Sequence, residues 1–241
     1  MLITLLKHEF KNLLRERMTL LMLLYPLAIG IVGRILLDRG VIGGEGVGIA
    51  AMLFALFCGF AYGAMGGFSL LDDRDDQVLD SIQISPISVH WYIWFKICFA
   101  FVLAVLAGFF IIWFSGALEI GSGDTLLLAT LSALQVPIIA FFFNSFAKNK
   151  VEGFVTMKGS GFSLIFPVAA YFFLDWKEWL FSFAPAHWLA KAVQYLYLQP
   201  GIEAGIVEMN LNFYQYLGIG FAYNLLLAAG AFILFKKRNL L

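Results

Sequence analysis

Five aspartates crowd into one polar stretch of nine residues, and carboxylates grouped this closely could hold a metal ion. They are Asp72, Asp73, Asp75, Asp76 and Asp80. Asp73, Asp76 and Asp80 stand at i, i+3 and i+7, so they would share one face of a continuous helix. Hard cations such as Mg²⁺ prefer oxygen ligands gathered on one side. The spacing therefore permits a magnesium site in this stretch.

The same stretch carries apolar residues at helical spacing, and these indicate a different use. Val78, Leu79 and Ile82 fall at i, i+1 and i+4 and would form an apolar stripe on a short helix. Pro86 would end that helix, because the residue before a proline is pushed out of the α region. A short exposed helix with such a stripe fits a groove on a partner. The candidate docking residues are Asp73, Arg74, Asp75, Asp76, Leu79, Ile82 and Pro86.

The elements that would position this stretch are membrane spans. Of the 241 residues, 61% are hydrophobic and only 13% are charged, which is far more apolar than an ordinary globular domain. Runs long enough to cross a bilayer lie at about 18–37, 47–71, 97–118, 125–146, 159–174 and 213–235. The fifth run is the shortest and could begin earlier, near Val151. We predict an all-α integral membrane protein with a single transmembrane domain, 1–241.

Six spans place both termini on one side of the membrane, and the basic residues predict which side. With the termini in the cytoplasm, twelve basic residues lie inside and four lie at or beyond the outer face. This bias follows the positive-inside rule. The outer four are Arg34, Arg39, Lys177 and Lys191. We therefore predict a multi-pass protein of the cell membrane with cytoplasmic N- and C-termini.

Two flanking segments have compositions typical of the membrane interface. Segment 1–17 repeats apolar residues at helical spacing opposite Lys7, Lys11 and Arg15, which predicts an interfacial amphipathic helix; the apolar residues are Ile3, Leu6, Phe10, Leu13 and Leu14. Segment 175–211 is rich in Trp, Tyr and Phe, which favour the headgroup level. Pro185 and Pro200 would break it into short pieces.

Several kinds of chemistry find no support in the sequence. It has no GxxxxGK[ST] phosphate loop, so it cannot hydrolyse ATP by that route. The net charge is zero, which suggests no nucleic-acid partner. Cys58 and Cys98 lie in apolar runs without Cys or His neighbours and are expected to be packing residues. We expect no catalytic residue, metal site or bound cofactor on this chain.

The loop pattern resembles that of permease subunits of type-2 ATP-binding-cassette (ABC) exporters. The resemblance rests on an acidic-Arg-acidic cluster around Arg74, then Leu79, Ser85-Pro86, Tyr92 and Lys96, and it extends to the basic N-terminal helix, the spans and the aromatic segment. In that family the loop, here 72–96, forms a cytoplasmic coupling helix. The glycine that often follows the acidic-Arg-acidic triplet is absent, and Asp76 and Gln77 stand there instead, a departure that concerns the subfamily more than the family. Within the family the chain looks similar to permeases for fluoroquinolone or other drug export.

The resemblance implies the fold and the partners together. The fold would have six transmembrane helices, an N-terminal amphipathic interfacial helix, a coupling helix, and a re-entrant or interfacial external segment before the last span. The partners would be two ABC ATPase subunits per complex, which would bind ATP and Mg²⁺, a second copy or related permease, and the lipid bilayer. The substrate would be an amphipathic or hydrophobic drug, peptide antibiotic or lipid.

Two other functions remain open at this point. The aspartates also resemble the carboxylate cluster that membrane-embedded prenyltransferases use to hold Mg²⁺ against a diphosphate. Those enzymes carry a second carboxylate cluster, whereas later acidic pairs here, such as Asp175 with Glu178 or Glu203 with Glu208, lie on the predicted outer side, so we favour the exporter. A membrane scaffold or immunity protein that sequesters a toxin is the third possibility.

Residues inside the spans complete the candidates. Arg34 and Asp38 are spaced to pair at i and i+4. Polar residues that could line a translocation path or bond between helices are Gln135, Asn144 and Asn224. Gly59, Gly63 and Gly67 form overlapping GxxxG patterns that let another helix approach closely, either in the same chain or in a second subunit.

Overall fold

The computed structural model describes residues 2–15, 17–84, 88–161 and 164–239, and within them all regular structure is helical. Pro86 and the side chains of Ile3 and Asp80 lie outside the described residues. The helices are α1 (Leu2–Arg15), α2 (Arg17–Asp38), α3 (Glu45–Asp75), α4 (Val78–Gln83), α5 (Val89–Ser115), α6 (Ser122–Ala133), α7 (Gln135–Phe146), α8 (Lys150–Gly161), α9 (Ile165–Tyr171), a 3-10 helix (Trp176–Phe181), α10 (His187–Glu203) and α11 (Phe213–Arg238).

Six helical segments among these residues are long and apolar enough to cross a membrane, which confirms the predicted fold class. They are Leu20–Asp38, Glu45–Asp75, Val89–Ser115, Ser122–Phe146, Lys150–Tyr171 and Phe213–Arg238. The third span begins well before residue 97, because the segment after Ser88 is already helical and Ser88 caps it by accepting a hydrogen bond from the Trp91 amide. The fifth begins at Lys150, so Lys158 lies inside this span and not in the loop before it.

Helix α3 is the centre of the bundle. It packs against α2, α5, α6, α7 and α10, and most of its side chains are buried. Small residues make this possible: a Cβ added at Gly63 would lie 2.9 Å from Ile139, and one at Gly66 would lie 3.2 Å from Ala100. The fourth span and α5 can therefore both approach α3 closely along adjacent parts of its surface.

The fourth span is divided into α6 and α7 at Leu134. Pro137 explains the division, because a proline has no amide hydrogen and leaves the carbonyl of Ala133 without its helical donor. Ser132, just before the division, donates its hydroxyl to the carbonyl of Ala55 at 2.6 Å and accepts from the amide of Gly59 at 3.1 Å. The kinked span is thereby tied to α3.

Interhelical contacts define two ends of the bundle. At one end, which we call the charged end, Arg74 donates to the carbonyl of Ala147 and Asn239 donates to that of Asn144. These bonds bring together the ends of α3, α7 and α11. At the opposite, aromatic end, the hydroxyl of Tyr197 donates to the carbonyl of Gly44 at 2.6 Å. That bond joins α10 to the start of α3.

The aromatic segment 175–211 forms the 3-10 helix and α10. The first half of α10 is buried against α3, α6, α9 and α11, so the segment enters the bundle at the aromatic end. The prediction that Pro200 breaks the segment was wrong, because Pro200 lies inside α10. Pro200 lies in the last turn of α10, with only three residues after it, so its missing amide hydrogen removes a ladder bond near the end of the helix and not in its middle. Pro185 does precede the helix, as predicted.

Candidate functional site

The acidic stretch lies at the charged end, and its helical structure is interrupted in the middle. Helix α3 ends at Asp75, and Gln77 then adopts a left-handed conformation with φ of 55°, which is uncommon for a residue with a side chain. Helix α4 starts afresh at Val78. The stretch is therefore two helices joined by a tight turn, which corrects the expectation of one continuous helix.

This turn removes the carboxylate face expected of a metal site. Asp73 belongs to α3, Asp76 follows the end of that helix, and Asp80 belongs to α4, so the i, i+3, i+7 spacing no longer places them on one face. Asp72 is ion-paired with Lys150 at 2.7 Å. Among the side chains that the structure describes, no group of three or more His, Cys, Asp or Glu residues could hold a metal ion. The geometry gives the prenyltransferase interpretation no support.

Asp73 instead belongs to a buried ion cluster formed by Glu9, Asp73, Tyr92 and Lys96. The ammonium of Lys96 lies 2.5 Å from Asp73 Oδ2 and 3.5 Å from Glu9 Oε1, and it also donates to the carbonyl of Ser69 at 3.2 Å. The hydroxyl of Tyr92 donates to Asp73 at 2.9 Å. Glu9, Asp73 and Lys96 are 5%, 7% and 4% exposed. The cluster therefore links α1, α3 and α5 immediately beside α4.

Glu9 was not among the residues predicted from the sequence. A signal for it exists: Glu9 stands four residues before the buried Leu13, on the face by which α1 contacts the bundle. The predicted apolar face of α1 is divided, since Leu13 is buried while Phe10 and Leu14 are exposed. The helix therefore presents Glu9 and Leu13 inward and Phe10 and Leu14 outward.

The remaining docking candidates separate into inward and outward groups. Arg74 is half-buried and donates to the carbonyl of Ala147 at 3.1 Å, so its guanidinium is engaged within the bundle. Asp75 and Asp76 are exposed, and Leu79 and Ile82 are half-buried on α4. Ile84, which follows α4 and was not predicted, is 91% exposed. The outward surface is therefore acidic and apolar together.

The glycine face of α3 packs within the chain. A Cβ added at Gly59 would lie 2.3 Å from the carbonyl oxygen of Ser132, and one at Gly67 would lie 3.1 Å from the Phe143 ring. The helix that the GxxxG pattern admits is thus the fourth span of the same chain. Two helix backbones can come this close only where no side chain lies between them.

Two of the polar residues predicted for a translocation path hold segments of the bundle together. The side-chain amide of Asn144 donates to the backbone carbonyls of Gly67 and Ala140. The amide of Asn224 donates to the carbonyl of Pro185 at 3.1 Å, across to the segment before α10. Gln135 is buried, and its Nε2 has no hydrogen-bond partner among the described residues.

Of the other predictions for the spans, the Arg34–Asp38 pair and the packing role of Cys58 agree with the structure, whereas the packing role expected of Cys98 was wrong, because Cys98 is exposed. Arg34 and Asp38 form an ion pair at 2.8 Å. The cysteines are free, with Cys58 buried and donating weakly to the carbonyl of Ala104, and Cys98 exposed.

A second buried network, not predicted from the sequence, lies at the aromatic end. Lys191 and Glu178 are fully buried and ion-paired at 2.6 Å, and the hydroxyl of Tyr216 donates to Glu178 at 2.8 Å. Burial lowers the pKa of Lys191, although its hydrogen bond with Glu178 acts in the opposite direction and raises it. The network joins the 3-10 helix, α10 and α11.

His187 is one turn before Lys191 and is also fully buried, with neither ring nitrogen hydrogen-bonded to a described residue. Burial, together with the positive charge of Lys191, lowers the pKa of His187 to about 4. The imidazole is therefore neutral at physiological pH. The burial of Lys191 and His187 could not be predicted from the sequence, because Lys and His in an aromatic external segment are expected to be solvent-exposed.

Comparison with known proteins identifies a family for the chain. No curated protein and no solved structure matches the chain. The family model for the fluoroquinolones export permease protein Rv2686c-like matches residues 9–232, which includes all six spans in whole or large part, α4 and the buried ion cluster. This match agrees with the resemblance to ABC permeases of the drug-export branch. The chain belongs to the Rv2686c-like family of fluoroquinolone export permeases.

Proposed function

We propose that the chain is the permease half of an ABC exporter that moves an amphipathic or hydrophobic substrate and is driven by separate ATPase subunits. The observation that carries the proposal is the family match over residues 9–232, joined to a chain of six spans without a phosphate loop. ATP and Mg²⁺ would bind to the partner. The transport subunit would supply the path and the surface on which the ATPase acts.

The docking surface in this proposal is α4 with its flanking residues. Its outward members are Asp75, Asp76, Leu79, Ile82 and Ile84. Ile84 extends this surface, because it is exposed directly after α4 and would add apolar area beside Leu79 and Ile82. Asp73 and Arg74 would act from within the bundle, since their side chains are already engaged there.

The buried ion cluster gives a route from that surface to the spans. Helix α4 lies between the end of α3 and the start of α5, and the pairing of Asp73 with Lys96 joins those two helices. Glu9 extends the link to α1. A displacement of α4 by the ATPase would therefore move α3 and α5 together, because breaking a buried ion pair costs several kcal/mol.

The charged end would face the cytoplasm in this proposal. The positive-inside bias supports that side, and so does the location of α4, since an ATP-driven partner must reach it. Both termini would then be cytoplasmic in a prokaryotic cell membrane.

A second permease, identical or related, would cover α8. Only 19% of the most apolar stretch of the span Lys150–Tyr171 is buried within the chain, and α8 exposes the charged residues Glu152 and Lys158. Charged side chains in a span are costly against lipid and generally face other helices or a water-filled cavity. Gly159 leaves open space on the same helix, which a close neighbour could use.

The docking proposal can be tested by purifying the tagged chain from its native host in mild detergent. We expect an ATPase to copurify, and the double variant Leu79→Asp, Ile82→Asp to lose it while still inserting in the membrane. The double variant Ser81→Asp, Gln83→Asp is the matched control, because both residues are exposed on the same helix and the change adds the same two charges without removing an apolar contact. Retention of the ATPase by the double variant would refute this docking surface.

The second-permease proposal can be tested by crosslinking in a variant that lacks Cys58 and Cys98. We expect a cysteine at Val155, which is exposed on α8, to crosslink two chains in membranes through a short bifunctional reagent. A cysteine at Leu226, equally apolar and exposed on α11, is the control and should remain monomeric. Equal crosslinking at the two positions would contradict the assignment of α8 to the interface.

A further inference from the structure

A polar cleft of about 380 Å³ opens at the charged end, between the last residue of α1, the end of α3 and the start of α8. Its volume lies in the range of small-ligand sites, roughly 300–1,000 Å³. Cations and carboxylates line it together; the residues are Arg15, Ser69, Asp72, Asp73, Asp76, Lys96 and Lys150. Asp73 and Lys96 form its floor, since both are more than nine-tenths buried and paired with each other.

The position of the cleft beside α1 places it at the level of lipid headgroups. Leu6, Phe10 and Leu14 recur every four residues along one exposed strip of α1, and Phe10 is 53% exposed. Lys7, Lys11 and Arg15 follow them one residue later and so form an adjacent exposed strip. An apolar strip beside a basic strip is the pattern of a helix that lies in the interface. Arg15 belongs to the basic strip and to the cleft, so the cleft opens at that depth.

The charged residues that line the cleft favour a ligand that carries both a positive and a negative charge. A simple anion would meet three carboxylates in the same space, and a simple cation would meet three basic groups. Inside the cleft Asp73 is engaged by Lys96 and Asp72 by Lys150, while Arg15 and Asp76 are exposed at its edge. A dipolar ligand could place its anionic group by Arg15 and Lys150 and its cationic group by Asp76 and Asp72.

We propose that this cleft binds the headgroup of a phospholipid that carries a phosphate and a primary ammonium, namely phosphatidylethanolamine. A guanidinium binds phosphate well because its N–H groups match the phosphate oxygens. A primary ammonium has three N–H donors for carboxylates, whereas the methylated ammonium of a choline headgroup has none. The acyl chains would lie along the exposed apolar strip of α1. This site goes beyond the proposed export function, and it shares Asp76 with the proposed ATPase docking surface.

The test compares lipids that differ in one feature. The purified chain in mild detergent would be titrated with phosphatidylethanolamine, phosphatidylcholine and phosphatidylglycerol of identical acyl chains, and bound lipid would be counted by native mass spectrometry. We expect phosphatidylethanolamine to bind at least about fivefold more tightly than either of the others, from the lost charge-assisted hydrogen bonds. Equal binding of phosphatidylcholine, or preference for phosphatidylglycerol, would overturn the proposal.

Paired variants locate the site. Arg15→Gln and Asp76→Asn should each weaken phosphatidylethanolamine binding about fivefold. Lys11→Gln and Asp75→Asn are the controls, since these residues are exposed nearby but do not line the cleft, and they should leave the preference intact. Equal losses in variants and controls would show a diffuse surface effect and overturn the site.

A final arm separates the lipid from a soluble source of the same chemistry. Free phosphoethanolamine carries the two charged groups without acyl chains. We expect it to compete only at concentrations far above those of the lipid. Binding of the free compound as tight as that of the lipid would overturn the assignment to a membrane lipid.

Discussion

Removal of the Lys96 ammonium should destabilise the protein more than any exposed substitution at the charged end. In Lys96→Met the aliphatic stem is largely kept, but Asp73 and Glu9 are left as two buried carboxylates without their cation. Breaking a buried pair in this way costs roughly 3–5 kcal/mol. At about 2–4 °C per kcal/mol for a chain of this size, the expected fall in Tm is roughly 6–20 °C.

The assay is thermal unfolding of the purified chain in one detergent, followed by circular dichroism at a fixed scan rate. Lys148→Met is the matched control, because Lys148 is exposed near the same end, and its effect should stay within about 0.5 kcal/mol. In the double variant Lys96→Met, Asp73→Asn, one of the stranded charges is removed, so about half of the lost stability should return.

Two results would refute this account of the cluster. A Lys96→Met protein as stable as the Lys148→Met control would show that the ion pair contributes nothing. A double variant less stable than Lys96→Met would show that the stranded charge of Asp73 is not the cause of the loss.

Two further predictions concern the packing of α3 and the buried histidine. Gly59→Ala should lower the free energy of unfolding by roughly 1–3 kcal/mol, because its Cβ would lie 2.3 Å from the carbonyl oxygen of Ser132. Gly218→Ala is the control, since Gly218 faces open space and the change should be neutral or stabilising. Equal Tm values for the two variants would contradict this prediction. Because the folded pKa of His187 lies near 4 and its unfolded value near 6.5, the unfolded chain binds the proton first, and stability should fall as the pH drops from about 6.5 to 4. His187→Phe should flatten that part of a Tm-against-pH curve, and an unchanged slope would assign the effect to another group.

The short helix α4 shows which structural features a sequence pattern can predict and which it cannot. Its existence and its apolar residues follow from the spacing of Leu79 and Ile82, and the helix indeed occupies Val78–Gln83. The turn before it was missed, because Gln77 has no sequence preference for the left-handed conformation that it adopts. Because of this turn, Asp73, Asp76 and Asp80 do not share one face of a helix.

Glycine and asparagine positions show a similar division. The GxxxG spacing of α3 predicts a close helix neighbour, but not that the neighbour is the fourth span of the same chain. Asn144 was compatible with a path or with an interhelical bond, and only its distance to the Gly67 carbonyl distinguishes them. A polar residue in a span looks the same in sequence whether it faces a cavity or a backbone oxygen.

The sequence by itself determined the properties that depend on neighbours along the chain. Bilayer thickness demands long apolar runs, and a helix repeats its faces every three to four residues, so the spans, the amphipathic α1 and the apolar stripe of α4 are all visible in composition and periodicity. Only the tertiary structure decided which charges are buried and with what. Glu9, Asp73 and Lys96 meet because three separate helices converge at the charged end, and Glu178 meets Lys191 for the same reason at the aromatic end. Such pairings depend on packing between distant segments, which no local pattern of residues records.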